Sequence, residues 1–231
     1  MEQPQVNVLV VDIGGTHVKV MATGRDAEVK IDSGPTMSPA MMVKQVKAAT
    51  KGWEYDAVSI GYPGPVMRGK PLRDPFHLAP GWLRFDYEKA FGKPVKLMND
   101  AAMQALGSYT SGRMLFLGLG TGLGAAVIED QHVEPLELAH LPYKKGRSYE
   151  DYLGNVGLVR LGRKKWEKHV FAVAELFLKA LVCDSVVIGG GNARKLGTLP
   201  ARVRLGDNAN AFKGGYGVWG LNDATDLRGS S

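Results

Sequence analysis

Two short glycine turns carry the first chemical signal in this chain. Asp12-Ile13-Gly14-Gly15-Thr16 follows the apolar run Val6 to Val11, and Gly118-Leu119-Gly120-Thr121-Gly122-Leu123-Gly124 follows Met114 to Leu117. Successive backbone N–H groups in such a turn converge on a concave spot that suits an anion, and a threonine hydroxyl adds a donor. Either turn alone reads equally well as a plain hairpin turn. A Walker A loop would instead feed a helix and carry Gly-Lys-Ser/Thr, which the first turn lacks. Asp12 ends a buried strand, where an unpaired carboxylate is costly. A Mg²⁺ ion reached directly or through water would account for it; a salt bridge to Lys19 is the competing explanation.

Two further groups stand out. Asn99-Asp100 lies where a strand, Val95 to Met98, gives way to a predicted helix, Ala101 to Tyr109. Such a pair is an ordinary helix cap. The cap is the favoured reading of the pair alone; beside a cleft, Asp100 would also be a carboxylate placed to take the proton of an attacking hydroxyl, the main demand that phosphoryl transfer makes on a side chain. Glu137-Leu138-Ala139-His140 and Glu150 form the other group. Carboxylates and a neutral imidazole match sugar hydroxyls, which both donate and accept. A metal at Glu137 and His140 would lack a third ligand in the usual spacing.

The elements that must hold these residues follow from periodicity. Val6 to Val11 is β-branched almost throughout, as in a strand buried on both faces, and His17 to Met21 returns as its hairpin partner. Ser38-Pro39 predicts a helix start, with Met42, Val43, Val46 and Ala49 at helical spacing behind it. Ala57 to Ile60 is a short strand entering the loop Gly61-Tyr62-Pro63-Gly64-Pro65. Residues 66–93 show no clear period and read as loop with short elements. Strand, glycine turn and strand then recur, ending at Ala125 to Ile128. Two such units a hundred or so residues apart predict two related lobes, 1–110 and 111–231, whose glycine turns would face each other across a cleft. In the second, Trp166, Val170, Val173, Phe177 and Leu181 make a core stripe on a helix from Arg163 to Leu181. Ser185 to Ile188 is a strand running into Gly189-Gly190-Gly191-Asn192. Asn208 to Gly220 reads as a final glycine-containing helix, free to pack back on the first lobe.

Composition bounds the function. A chain of 231 residues with 45% hydrophobic and 23% charged residues suits a soluble globular protein of one large domain or two small lobes. Its net charge of +6 attracts polyanions. The basic residues gather around Lys144 to Arg147 and Arg160 to Lys168, and both clusters read as solvated surface in preference to a dedicated anion track. No motif with interleaved aromatics suggests a nucleic-acid partner. The single cysteine, Cys183, excludes an internal disulfide and a Cys-based zinc cluster and fits a reducing cytosol. No apolar run has the length of a membrane span and no basic-then-apolar leader opens the chain, so a cytoplasmic protein is expected.

Taken together, VDIGGTHVKV (11–20), IGYPGPV (60–66), HLAPGW (77–82), MNDAAMQALG (98–107), LGLGTGLGAAV (117–127), ELAH (137–140), YEDY (149–152) and VIGGGNA (187–193) resemble, in order and spacing, the ROK kinases (repressor, open reading frame, kinase). Within that family the chain looks similar to bacterial glucokinases and polyphosphate-dependent glucokinases. The resemblance implies an α/β, two-lobed actin-like ATPase (ribonuclease H-like) fold with the active site in the interlobe cleft. It implies transfer of a phosphoryl group from ATP or polyphosphate, with Mg²⁺, to the 6-hydroxyl of glucose, or otherwise to another hexose or amino sugar. Asp100 matches the catalytic base. Asn99, Glu137, His140, Glu150, Gly64 and His77 match the sugar side. Asp12, Gly14, Gly15, Thr16 and Lys19 match the first phosphate segment, with Asp12 near the metal. Gly120, Thr121 and Gly122 match the second phosphate segment, and Gly190, Gly191 and Asn192 the segment beside the adenosine. A homodimer is the family's habit.

Three departures qualify this picture. Lys144-Lys145-Gly146-Arg147-Ser148 replaces the family's Cys-rich motif, so no structural zinc is expected. His77 stands where many members have Asn. The stretch between Glu150 and Gly189 is short, which bears on adenosine recognition; polyphosphate-type enzymes share the missing zinc motif, and the basic charge suits their donor. A sugar-sensing regulator would carry an N-terminal helix-turn-helix ahead of its first strand, whereas here the first predicted strand begins at Val6. A catalytically silent sugar-binding protein is the remaining alternative, against which an intact Asp100 argues.

Overall fold

A computed structural model describes residues 6–207 and 209–221. The lobes expected at 1–110 and 111–231 also contain residues 1–5, 208 and 222–231, which lie outside the described residues, as does Asn208 of the last predicted helix. The chain divides into two compact units, one running to Met103 and resuming at Ala211, the other spanning Gln104–Asn210.

The first unit contains β1 (Val8–Ile13), β2 (His17–Ala22), β3 (Val29–Asp32), α1 (Pro39–Ala49), β4 (Ala57–Tyr62), the hairpin strands β5 (Val66–Met67) and β6 (Lys70–Pro71), α2 (Tyr87–Phe91), β7 (Val95–Asn99) and the start of α3 (Asp100–Ser108). Its sheet has the order β3-β2-β1-β4-β7. β1 to β3 form antiparallel neighbours, whereas β4 and β7 run parallel to β1. All six residues of β1 are buried, and the period of two in side-chain direction divides them between two cores. Leu9, Val11 and Ile13 join Met42, Val43 and Val46 of α1. Val8 and Val10 face Met103, Phe212 and Tyr216. As the serine-proline pair predicts, Ser38 caps α1, its Oγ accepting from Met41 N at 3.3 Å.

The second unit contains β8 (Met114–Leu119), β9 (Leu123–Glu129), β10 (His132–Leu136), the hairpin strands β11 (Pro142–Lys144) and β12 (Arg147–Ser148), α4 (Glu150–Leu153), α5 (Asn155–Leu161), α6 (Arg163–Ala180), β13 (Ser185–Gly189) and β14 (Val203–Leu205). The sheet order β10-β9-β8-β13-β14 repeats that of the first unit strand for strand, with β9 antiparallel and β13 parallel to β8. Trp166, Val170, Val173 and Phe177 of α6 bury the stripe read from the sequence against Leu115, Leu117 and Val186.

The last helix, α7 (Asn210–Gly217), shows how a glycine can be fixed by packing. Ser59 Oγ donates to Gly215 O at 2.6 Å and accepts from Trp219 Nε1 at 2.9 Å. A Cβ on Gly215 would collide with the side chain of Val10 on the central strand. Helix propensity alone would favour Gly215→Ala by about 1 kcal/mol, but overpacking a filled core costs about 1–3 kcal/mol. The steric term wins: Gly215→Ala should lower the urea midpoint, and an unchanged or raised midpoint would show that α7 yields to the methyl group.

Candidate functional site

The carboxyl ends of β1, β4 and β7 gather the first set of candidates. Asp12 pairs in register with Gly61, and Tyr62 with Asn99. Ends of neighbouring parallel strands are where open α/β sheets place their ligand groups. The first glycine turn closes β1 onto β2, with Gly14 N donating to His17 O at 2.9 Å. Gly14 is closely packed, because a Cβ there would sit 3.0 Å from that same carbonyl. The end of β3 braces the turn from behind: Ser33 Oγ donates to Gly14 O at 2.6 Å and Ser33 N to Thr16 O at 2.9 Å. Gly15 is half-buried and Thr16 exposed.

Asp12 is only 6% exposed. Burial pushes its carboxyl above the ordinary range, and Lys19 pulls it back down. Lys19, its cross-strand partner, brings Nζ to 3.7 Å from Asp12 Oδ2. The salt bridge weighed as an alternative from the sequence is therefore present.

At the β7–α3 junction the two candidate residues divide the work. Asn99 caps the helix: its Oδ1 accepts from Ala102 N at 3.0 Å, and its Nδ2 donates to Gly64 O at 3.0 Å. Asp100 is the first helical residue, with Oδ1 accepting from Ala101 N at 2.8 Å. An amide has two acceptor sites and two hydrogens, so these two bonds leave one of each on Asn99. The loop carrying Gly64 is held by Tyr62, whose hydroxyl donates to Arg73 O at 2.8 Å and whose ring meets Trp82 edge-on at 6.1 Å.

Sequence reasoning passed over Asp74. Its carboxylate accepts from Gly81 N at 3.2 Å, Trp82 N at 2.7 Å and Leu83 N at 3.1 Å, and so fixes the loop that carries His77. Its one sequence signal was an aspartate before proline in a stretch without period. His77 itself is exposed and lies edge-on to Phe76, at 5.4 Å between ring centres.

In the second unit, two segments that are distant in sequence, 150–155 and 190–192, converge on Gly120-Thr121-Gly122. Asn192 Nδ2 donates to Gly120 O at 3.0 Å and Asn192 N to Leu119 O at 2.9 Å. Gly190, at φ +84°, packs where a Cβ would strike the Leu119 backbone, so a side chain there is excluded twice over. Gly191 continues that bend with open space around it. Glu150 Oε2 accepts from Leu123 N at 3.1 Å, and a Cβ on Gly122 would collide with that carboxylate. Asn155 N donates to Thr121 O at 3.2 Å. Glu150 N also donates to Ala139 O at 2.9 Å, which ties the exposed turn bearing Glu137 and His140 to the same place. The structure thus joins Glu137, His140, Glu150, Asn192 and the second glycine turn within one unit.

Two mixed sheets of identical order, each opening on a strand–glycine turn–strand hairpin, define a protein of the actin-like ATPase (ribonuclease H-like) fold. Residues 8–134 match the profile of the ROK family, and the chain belongs to that family. It is 24% identical over 206 residues to the polyphosphate glucokinase of Mycobacterium leprae (strain TN), an alignment covering 80% of this chain and 63% of that relative's length. Among solved structures, the inorganic polyphosphate/ATP-glucomannokinase of Arthrobacter sp. strain KM superposes with a TM-score of 0.77 at 21% identity, over 94% of this chain and 100% of that one. A ROK family glucokinase from Streptomyces griseus, in complex with glucose and AMPPNP, gives a TM-score of 0.75 at 18% identity, over 92% and 98%. Among the described residues, no helix is long and apolar enough to cross a membrane.

The Asp12–Lys19 pair makes a testable statement about stability. Because burial raises the Asp12 pKa in the folded state, its contribution favours folding below the unfolded carboxylate pKa and is lost as pH rises through the folded one. Lys19 offsets that loss at neutral pH. Lys19→Met should cost about 1–3 kcal/mol at pH 7, and the deficit should shrink in mild acid as Asp12 takes a proton. Urea unfolding at both pH values would check this; equal deficits would mean that Lys19 acts through packing alone.

Proposed function

We propose that this protein is a hexose kinase that transfers the terminal phosphoryl group of ATP or polyphosphate to the 6-hydroxyl of glucose. The observation that carries the reading is the division of labour at the β7–α3 junction. Asn99 caps α3 through Ala102 N, and Asp100, whose Oδ1 accepts from Ala101 N, stands beside it as the first helical residue at the carboxyl end of a parallel strand. The polyphosphate and ATP donors and the sugar acceptors named for the relatives support the choice of substrates.

In this reading Asp100 accepts the hydroxyl proton as the sugar oxygen bonds to phosphorus and the bond to the leaving phosphate breaks. In the first unit, Asn99, Gly64 and His77 are the candidate donors and acceptors for sugar hydroxyls; in the second, Glu137, His140 and Glu150 are. Backbone amides of Gly14, Gly15 and Thr16, and of Gly120, Thr121 and Gly122, meet charge on the phosphoryl chain. Asn192 and the bend at Gly190 and Gly191 hold the second turn from beneath.

Asp12 fits a Mg²⁺ site: it is a buried carboxylate beside the first turn, and this ion is commonly held by one or two carboxylates together with phosphates and water. When bound, the ion would neutralise phosphate charge. Lys19, already oriented by Asp12, lies on the strand that leaves the turn.

The test is an assay of the full chain with Mg²⁺, a panel of hexoses, and ATP or polyphosphate, reading sugar phosphate. Glucose with at least one donor should give product; no product from any pairing would remove the kinase reading. Asp100→Asn should lower kcat by about 10²–10⁴-fold with sugar affinity retained. Unchanged turnover in that variant would take the base role from Asp100.

A further inference from the structure

Two basic clusters that are separate in the chain meet on one face of the second unit. Lys144, Lys145 and Arg147 lie on the β11–β12 hairpin, Arg160 near the end of α5, and Lys165 in the first turn of α6; all five are exposed. A clasp of rings joins the hairpin to the helices. Tyr143 Oη lies 3.0 Å from His169 Nδ1. The Tyr143 ring stacks on Tyr149 at 4.8 Å and meets Tyr152 edge-on at 5.0 Å. Two of the cations ride on this clasp: Lys144 Nζ sits 5.0 Å from the Tyr143 ring centre and Arg160 Cζ 4.7 Å from that of Tyr152.

The neighbouring carboxylates make their hydrogen bonds to other groups. Asp151 accepts from Ser148 N at 2.8 Å and Ser148 Oγ at 2.9 Å. Its carboxyl is held below the ordinary range first by those bonds and then by Arg147 and Arg160. Glu167 accepts from Gly197 N. Among the described residues, none of the five cations is ion-paired to a carboxylate. Like charges gathered in this way repel one another, and a polyanion relieves that repulsion.

The position of the face suggests which polyanion. α5 starts against the second glycine turn, through Asn155 N on Thr121 O at 3.2 Å, and its 7 residues run toward Arg160. At the rise of an α-helix that span is about 10 Å, further than one phosphate reaches and within the reach of a chain of several. A single-stranded nucleic acid would also want aromatic platforms for its bases, but Tyr143, Tyr149 and Tyr152 are packed against one another, and Tyr152 is buried.

We propose that the hairpin β11–β12 and the α5–α6 corner form an extended track for linear polyphosphate, which holds the chain beyond the phosphates engaged at the second glycine turn. This rests on polyphosphate being a donor.

The test uses the full chain and the variant Lys145→Asn/Arg147→Ser/Lys165→Gln, which leaves Lys144 and Arg160 on their rings. Asparagine suits Lys145, whose φ is +51°. Binding is read by calorimetry with long-chain polyphosphate, tripolyphosphate and a single-stranded RNA of matched charge, at several salt concentrations. The variant should bind long-chain polyphosphate about tenfold more weakly, with a shallower salt dependence. Its Kd for tripolyphosphate, its KM for glucose and its kcat should be unchanged. Unchanged long-chain affinity would overturn the proposal, as would an equal loss for tripolyphosphate, or RNA binding as tight and as sensitive to the three substitutions. If the wild type binds long chains through this face without using them as donor, the track stands and the donor assignment fails. If it uses them and the variant is unaffected, the donor assignment stands and the track fails.

Discussion

The side-chain amide of Asn99 ends β7, starts α3 and holds the Gly64 loop at once. It is 7% exposed, so each bond it makes replaces water that cannot reach it. An alanine there would free an amide of the first helical turn and release the Gly64 carbonyl together. The position of Asp100 follows from this constraint. Its backbone is the first helical unit after the cap, so the direction in which its carboxylate leaves the chain is set by a neighbour.

The same economy runs through both sheets. Each central strand buries both of its faces, and each hairpin packs closely around one glycine of its turn: a Cβ on Gly14 would sit 3.0 Å from the His17 carbonyl, and one on Gly122 would meet the Glu150 carboxylate. The backbone groups of these turns are thereby held in place from behind, by Ser33 in the first unit and by Asn192 and Asn155 in the second. Asp12 is the one charged side chain buried at the end of the first central strand, and Lys19 opposes only part of the cost of burying it. In the proposed function, a divalent cation at Asp12 would meet the rest.

What could be read from the sequence was whatever the periodicity of burial imposes. Val8–Ile13, the stripe on α6 and the Ser38 cap are local patterns with a tertiary outcome. The edge strands escaped notice for the opposite reason. β3 and β10 are largely exposed and carry charges, and β10 contains Pro135, which an edge strand tolerates. α5 shows no apolar stripe because Val156 and Val159 point outward. At the site, the candidate residues were visible one by one, but their connections were not. Nothing in a one-dimensional string ties Glu150 to Leu123 or Asn192 to Gly120. Likewise Asp74 acts on three amides of a loop further along the chain, where no repeat or spacing marks it. The sequence also left open which residue of Asn99-Asp100 caps the helix, a choice that hydrogen-bond geometry makes for Asn99.

The central claim is that the Asn99 cap aims Asp100 at a sugar hydroxyl. A crystal structure of the full chain with bound glucose tests it most directly. The account predicts the 6-hydroxyl oxygen at roughly 2.6–3.2 Å from an Asp100 carboxylate oxygen, with the Asn99 amide still bonded to Ala102 and Gly64. A 6-hydroxyl held by another carboxylate, such as Glu150, with Asp100 turned away, would contradict it.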